Sequence, residues 1–317
     1  MKVSNIALCL SAGLMLSACG GGGSGGSTAP TLVSVPLTTA NYDPTGRAAA
    51  ATLIDASSSA SSAGSIASVP GTNDPLPTAG FLRVAEYAAR HALAALPARE
   101  QAAETITDSE NCDFGGSLSV TVNDNNNNNR LDAGDTASFN FQSCKVRLDE
   151  PSINGGLDFA FQSVTLNGYG DPVAYTATIT ARQLVSGGSA LDGAADYNVT
   201  TTRATVNFRN TVSTRNGLAT VYNFLATFDA SGVNETLTVA GEIGIKGASY
   251  TVSTPAPIAM GNFYPAAGVL RVADSAGGRV DVIMGATTFT LDLYLPGDTV
   301  RDATATYTWA ALAAGTI

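Results

Sequence analysis

The chain is short of the residues on which most enzymes rely. Histidine occurs once, at His91, so a Ser-His-Asp set has only that imidazole to draw on. No G-x-S-x-G elbow, phosphate loop or dinucleotide fingerprint is present. Charge is sparse, at 13% of residues, and its balance is acidic, with net charge −10. No cluster of lysine and arginine offsets that balance, which argues against nucleic acid and against anionic lipid heads as partners. Tryptophan occurs once, at Trp309, read as a core anchor of the last strand. His91 lies among Ala and Leu, the ordinary setting of a packed helix histidine. A glycoside hydrolase needs a converging carboxylate pair, and nothing in the spacing of the 26 acids singles one out.

Cysteine is scarce too, and each of the four has a distinct place. Cys9 lies in an apolar stretch, Ile6 to Leu16, that follows Lys2. That stretch has the length of a signal-peptide core and is too short to span a bilayer as a helix. It closes on Leu16, Ser17, Ala18 and Cys19, then runs into glycine and serine from Gly20 to Gly26. The tetrapeptide resembles the lipobox of bacterial lipoproteins: an apolar residue, two small ones that fit a narrow peptidase groove, and a cysteine whose thiol accepts the diacylglyceryl group. The resemblance implies cleavage before Cys19, lipidation there and a flexible tether. Gly20, in place of Asp, implies sorting to the outer membrane. Loss of residues 1–18 removes one cation, Lys2, and no acid, so the charge becomes −11.

Cys112 and Cys144 remain, an even pair in a chain bound for an oxidising compartment, and are expected to bond. Closure of a loop of about 30 residues stabilises by roughly 3–4 kcal/mol in the chain-entropy view, less where the segment already pairs as a hairpin. Two buried thiols or a metal pair are the alternative; with no histidine nearby, zinc fits poorly.

The pattern divides the chain into a signal peptide (1–18), a lipidated cysteine and Gly/Ser-rich linker (19–37), a helical segment (38–110) and an antiparallel β domain (111–317). In the helical segment, Pro44 suits a first turn and Arg47 to Ile54 are good helix formers. A Ser/Ala/Gly run, Ser57 to Ser68, dilutes that helix. A second helix is expected over Ala79–Leu96, capped by Thr78 and stopped by Pro97. After Cys112 the period changes to two. Leu118, Val120 and Val122 alternate with polar residues, as do Phe139 and Phe141, Leu157, Phe159 and Phe161, and Phe289, Leu291 and Leu293. About a dozen strands separated by Gly/Asn turns, with no helical crossovers, predict an antiparallel meander. So many strands should form a strongly curved sheet or a barrel with one or two helices laid on it. A transmembrane barrel fits the alternation but not the many short polar strands or the helical N-terminal region. Between Val199 and Ala204 the apolar parity switches, which suggests a bulge.

One stretch carries recognisable chemistry. From Asp124 to Asp135 the chain runs twelve residues, with oxygen-bearing side chains at positions 1 (Asp124), 3 (Asn126), 5 (Asn128), 9 (Asp132) and 12 (Asp135). Arg130 at position 7 offers its carbonyl, and Leu131 at position 8 is apolar. This resembles an EF-hand loop, above all the dockerin kind in which Asp closes the sphere. It implies a calcium ion held weakly, with a dissociation constant on the order of 10⁻⁴–10⁻³ M. Position 6 departs from the pattern, with Asn129 where the family has Gly. The flanks also depart: they read as strands, which places the loop at a hairpin tip with its base near Cys112 and Cys144. The competing explanation is a plain Asn-rich turn. A second acidic stretch, Asp292 to Asp302, lacks the spacing and reads as an ordinary turn.

In layout the chain resembles proteobacterial outer-membrane lipoproteins. The implied function is a non-enzymatic one, anchored to the membrane by lipid, with an unknown ligand or protein partner and no nucleic acid. The aromatic strand faces, Phe159 with Phe161 and Tyr222 with Phe224 and Phe228, suggest a hydrophobic-ligand or lipoprotein carrier. An exported polysaccharide hydrolase and a surface adhesin are the alternatives.

Overall fold

A computed structural model describes residues 31–65 and 105–317, apart from 129, 146–147, 149–151, 168–171, 187–188, 216–217, 233–234, 262–263 and 314–315. The lipobox with Cys19, the expected helix over 79–96 and His91 lie outside the described residues. A two-residue strand, β1 (Val33–Ser34), precedes the long helix α1 (Tyr42–Ser65). An antiparallel meander follows: β2 (Thr105–Asn111), β3 (Ser117–Asn123), β4 (Thr136–Cys144), β5 (Ile153–Leu166), β6 (Pro172–Ser186), β7 (Ser189–Val199) and β8 (Arg203–Arg215). It continues through β9 (Leu218–Asp229), β10 (Thr236–Ile245), β11 (Ala248–Met260), β12 (Pro265–Ala273), β13 (Arg279–Met284), β14 (Thr288–Tyr294) and β15 (Ala303–Thr308), and ends in the short helix α2 (Trp309–Ala313). Each strand from β2 to β15 pairs with its sequence neighbours, and β1 pairs in parallel with β11. The mainly β expectation holds. Of the two forms it allowed, the open sheet is found: β2 and β15 end the strand order and do not pair with each other.

Period-two alternation places one apolar row per strand on the inner side. Leu118, Val120 and Val122 of β3 face inward, as do Phe139 and Phe141 of β4 and Leu157, Phe159 and Phe161 of β5. Helix α1 lies against β8–β10 and β12–β14, burying Ala49, Ala50, Leu53, Ile54 and Ala56. It approaches β14 closely at Gly46, where a Cβ would stand 2.8 Å from Leu291. Trp309 is the core anchor its apolar setting suggested, although it opens α2. Its indole Nε1–H donates to the Gly285 carbonyl at 2.9 Å, and its ring packs on Phe289 with centroids 4.7 Å apart.

The sheet bends along a line of bulges. Ser143, Gln183 and Asn210, on β4, β6 and β8, are all left-handed, with φ of 49°. The ladder slips beside each of them. Inward parity flips there, from Phe141 to Cys144, from Ala181 to Leu184 and from Phe208 to Thr211. A glycine faces two of these bulges from the strand before. At Gly155, φ is +106° and a Cβ would lie 2.2 Å from the Gln183 carbonyl oxygen; at Gly193, φ is +122° and a Cβ would lie 2.8 Å from the Thr211 Cα. Bulges in register bend and twist a sheet more sharply than regular pairing does.

Three boundaries differ from the sequence-based ones. The linker read as 19–37 is docked from residue 32 on: Val33 N–H donates to Gly247, and Leu37 is buried with its N–H on Asp274 Oδ2 at 2.6 Å. The segment read as helical to 110 ends in strand β2. This edge strand (TITDSEN) has a single apolar residue, so no alternation marked it. The parity switch between Val199 and Ala204 is a tight hairpin rather than a bulge. Thr200 and Arg203 close it, with Thr200 N–H donating to the Arg203 carbonyl at 2.7 Å. In a turn with an even number of loop residues, paired positions have opposite parity, so the switch needs no extra residue.

Candidate metal centre at a hairpin tip

Strands β3 and β4 form a hairpin whose register runs from Ser117 opposite Gln142 to Asn123 opposite Thr136. Residues 124–135 are its tip, flanked by strands as the pattern required. The base is stapled: Cys112 and Cys144 are bonded, with Cα atoms 5.4 Å apart. The bond joins the end of β2 to the end of β4 across the start of β3. The metal alternative for this pair is thereby removed.

Within the tip, the five oxygen-bearing side chains interlock. Asp124 Oδ1 and Asn126 Oδ1 both accept the Asn128 N–H, at 3.2 and 3.1 Å. Asn126 and Asn128 each donate a side-chain amide proton to Asp132 Oδ2, at 2.8 and 2.6 Å. Asp135 accepts the Asn125 N–H at 2.9 Å and the Asp132 N–H at 2.7 Å. Arg130 is exposed and donates its backbone N–H to Asn128 Oδ1 at 2.7 Å. Asn127 takes the left-handed turn, with φ of 57°, while Asn129 is outside the described residues. Leu131 is buried and pins the loop to the core.

Carboxylates are expensive to bury unless something neutralises them. Asp124 is 0% exposed and Asp135 1% exposed. Burial pushes the Asp135 carboxyl above its ordinary range, and the negative charges of Asp132 and Asp124 push it the same way; the N–H bonds from Asp132 and Asn125 oppose them. Asp132 Oδ1 is shut away from solvent without a hydrogen-bond partner among the described residues. The loop thus gathers three carboxylates and two amide oxygens, a hard-cation donor set. Among the described residues, however, no three acidic, His or Cys side chains close into a metal-binding group.

The closing strand of the tip is tied to the core. Gly134 N–H donates to the Phe161 carbonyl and Phe161 N–H to that of Asp135, at 2.9 and 3.0 Å. Phe161 stacks on Phe159, which meets Phe139 edge-on at 5.6 Å. The second aromatic set, Tyr222, Phe224 and Phe228, is equally buried, and Phe208 packs on Phe224 at 4.9 Å.

A pair of acids that spacing did not single out stands on the opposite side of the sheet. Asp281 and Asp292 are direct cross-strand partners on β13 and β14, and both are nearly buried. Arg271 grips Asp281 with two bonds, at 2.8 and 3.0 Å, while Asp292 accepts Thr304 Oγ1–H at 2.7 Å and faces Arg301 at 3.3 Å. Both carboxylates are thus taken up by contacts with neighbouring side chains of their own sheet. The stretch from Asp292 to Asp302 closes as a turn, with Leu295 N–H on Asp302 Oδ2.

No protein-family model matches this chain, and neither the curated proteins nor the solved structures contain a match to it.

Proposed function

We propose that this chain is an exported β protein, held to the outer membrane by lipid on Cys19, that serves a structural or binding role rather than catalysis, and that calcium stiffens its β3–β4 tip. The observation that carries this reading is the Cys112–Cys144 bond. Structural disulfides belong to oxidising compartments, where a leader ending in Leu16, Ser17, Ala18 and Cys19 would send the chain. Against an enzyme stand the single histidine and the arginine-bound state of the Asp281/Asp292 pair.

The aromatic faces that suggested a carrier are spent on one another in the core. We therefore place recognition on the polar outer side, where cross-strand rows of hydrogen-bonding side chains run. Examples are Gln162 to Thr178 to Asp196, and Thr290 with Thr306. A stiff polar sheet of this kind suits a scaffold or an adhesin.

In the tip, a cation would take over from the Asn126 and Asn128 amide protons. A half-turn of each amide presents oxygen where nitrogen now donates, and the three carboxylates supply the charge. Two measurements test the reading. Mass spectrometry of the mature protein should find Cys19 at the N-terminus carrying acyl chains; an unmodified start elsewhere overturns the anchoring. Calcium added to chelated protein should raise its melting temperature, and Asp124→Ala should remove that rise. A wild type indifferent to calcium leaves the tip an Asn-rich turn.

A further inference from the structure

In an antiparallel meander the connections fall alternately on two rims. The β3–β4 tip lies on one. The disulfide lies on the other, together with the β2–β3, β4–β5, β6–β7, β8–β9, β10–β11, β12–β13 and β14–β15 connections. The N-terminal segment also joins the disulfide rim. Leu32 covers Gly244 near the β10–β11 turn, Val33 bonds to Gly247 within it, and Ser34 Oγ meets Ser275 Oγ in the β12–β13 turn. The chain therefore leaves the fold toward Cys19 from this rim.

The same rim carries most of the large apolar side chains left in water. Among the described residues seven are exposed, and five of them sit here: Val33 on β1, Phe114 in the β2–β3 turn, Leu148 in the β4–β5 connection, Val185 at the end of β6 and Val300 in the β14–β15 connection. Of the other two, Leu225 is mid-strand on β9 and Ile283 is next to last on β13, toward the opposite rim. Phe114 and Leu148 are neighbours through Lys145, whose carbonyl accepts the Phe114 N–H and whose Nζ donates to the Leu148 carbonyl, both at 2.9 Å. Contiguous exposed apolar side chains mark a surface that meets something, and Phe114 with Leu148 form such a pair.

We infer that the disulfide rim rests on the lipid bilayer, with Phe114 and Leu148 dipping into its interface. This rests on the lipid-anchor reading above. Chain length supports the occupant. The stretch from Gly20 to Thr31 is twelve residues, at most about 40 Å when fully extended. Strand β6, with 15 residues, is about 50 Å long. With the chain leaving from the disulfide rim, that rim is held within reach of the surface and the β3–β4 tip points away. The contact is apolar rather than charge-driven, because exposed Lys246 and Arg301 on this rim are offset by exposed Asp113, Asp298 and Asp302.

The test uses the full acylated chain in phosphatidylcholine vesicles with brominated acyl chains. Tryptophan is introduced singly as Phe114→Trp, Leu148→Trp and, on the far rim, Thr201→Trp, and the constant signal of buried Trp309 is subtracted. Side chains about 5–10 Å deep in the interface should show about twofold quenching or more at 114 and 148, and none at 201. Replacing half the lipid with phosphatidylglycerol should change neither result. If the vesicles carry the chain on flotation yet positions 114 and 148 stay unquenched, the inference fails while the anchor stands. If those positions are shielded from iodide only in a sedimenting dimer, a second copy covers the rim and the inference fails. If the mature chain is found to carry no acyl groups and does not float with the vesicles, the anchor falls and this inference with it.

Discussion

Asp135 illustrates how one side chain can oppose and serve the same fold. Its carboxyl is pushed upward first by burial and then by Asp132 and Asp124, so its ionised form is disfavoured in the folded hairpin. By linkage, a group whose folded value is raised contributes stability that is complete below its ordinary value of 3.8 and is lost as pH rises through the folded value. In chelator, the stability of the wild type minus that of Asp135→Asn should therefore fall as pH climbs above 3.8. Equilibrium unfolding at a series of pH values reads this directly, and a flat difference contradicts it. Saturating calcium should reverse the slope, because the cation needs the ionised form. Gly155 makes the second prediction at this scale. With φ of +106° and a backbone oxygen 2.2 Å from any added Cβ, Gly155→Ala should cost about 2–4 kcal/mol. The same change at Gly297, which has open space around it, should cost only the backbone part of that.

Among the elements, the β2–β3–β4 unit shows how little an edge needs to display in order to form. Strand β2 contributes backbone pairing from Thr105 opposite Asn123 to Asn111 opposite Ser117, and the Cys112–Cys144 bond keeps it in place. The bond closes a separation of 32 residues, for which the chain-entropy estimate is about 3–4 kcal/mol. Reduction, or Cys112→Ser with Cys144→Ser, should lower the urea midpoint by an amount near or below that value. Exchange of the β2 amides should rise more than that of the β4 amides, since β2 has only one neighbour. Helix α2 buries two side chains, Trp309 and Leu312, of which Trp309 also makes a hydrogen bond to the sheet. Trp309→Ala opens a cavity beside Phe289 and leaves the Gly285 carbonyl without its donor, so a loss of about 3–5 kcal/mol in denaturant unfolding is expected.

For the molecule as a whole, the decisive feature is that N- and C-terminal elements meet across the core. Tyr307 of β15 donates its hydroxyl to Asp43 of α1 at 2.5 Å, which raises the phenol above its ordinary range, and Arg47 pairs with the same Asp43 at 3.0 Å. Asp274, in the β12–β13 turn, gathers the N–H groups of Leu37, Ala276 and Gly278. Asp274→Ala should free the segment from Val33 to Leu37. The expected result is faster exchange at the Val33 and Leu37 amides and earlier proteolysis ahead of α1, with β3–β9 unaffected. Exchange unchanged at Leu37 contradicts this docking.

Much of this fold was legible because its signals are local. Period-two alternation marks a strand wherever one side is buried, Gly and Asn mark the turns, and an acid–Asn–acid spacing marks a tip whose side chains point inward. The paired cysteines belong with these, since no other cysteine remains beyond Cys19. Only the tertiary structure decided the rest. Strand β2 is held by pairing with β3, so its polar side chains needed no pattern. The bulges at Ser143, Gln183 and Asn210 depend on which strand lies alongside, as the Gln183 carbonyl beside Gly155 shows. Arginines from β12 and the β14–β15 connection claim Asp281 and Asp292, contacts that spacing along the chain does not encode. Whether the curved sheet closes was likewise undetermined by sequence. Closure depends on the sum of twist and bend over fourteen strands, and here that sum leaves β2 and β15 apart.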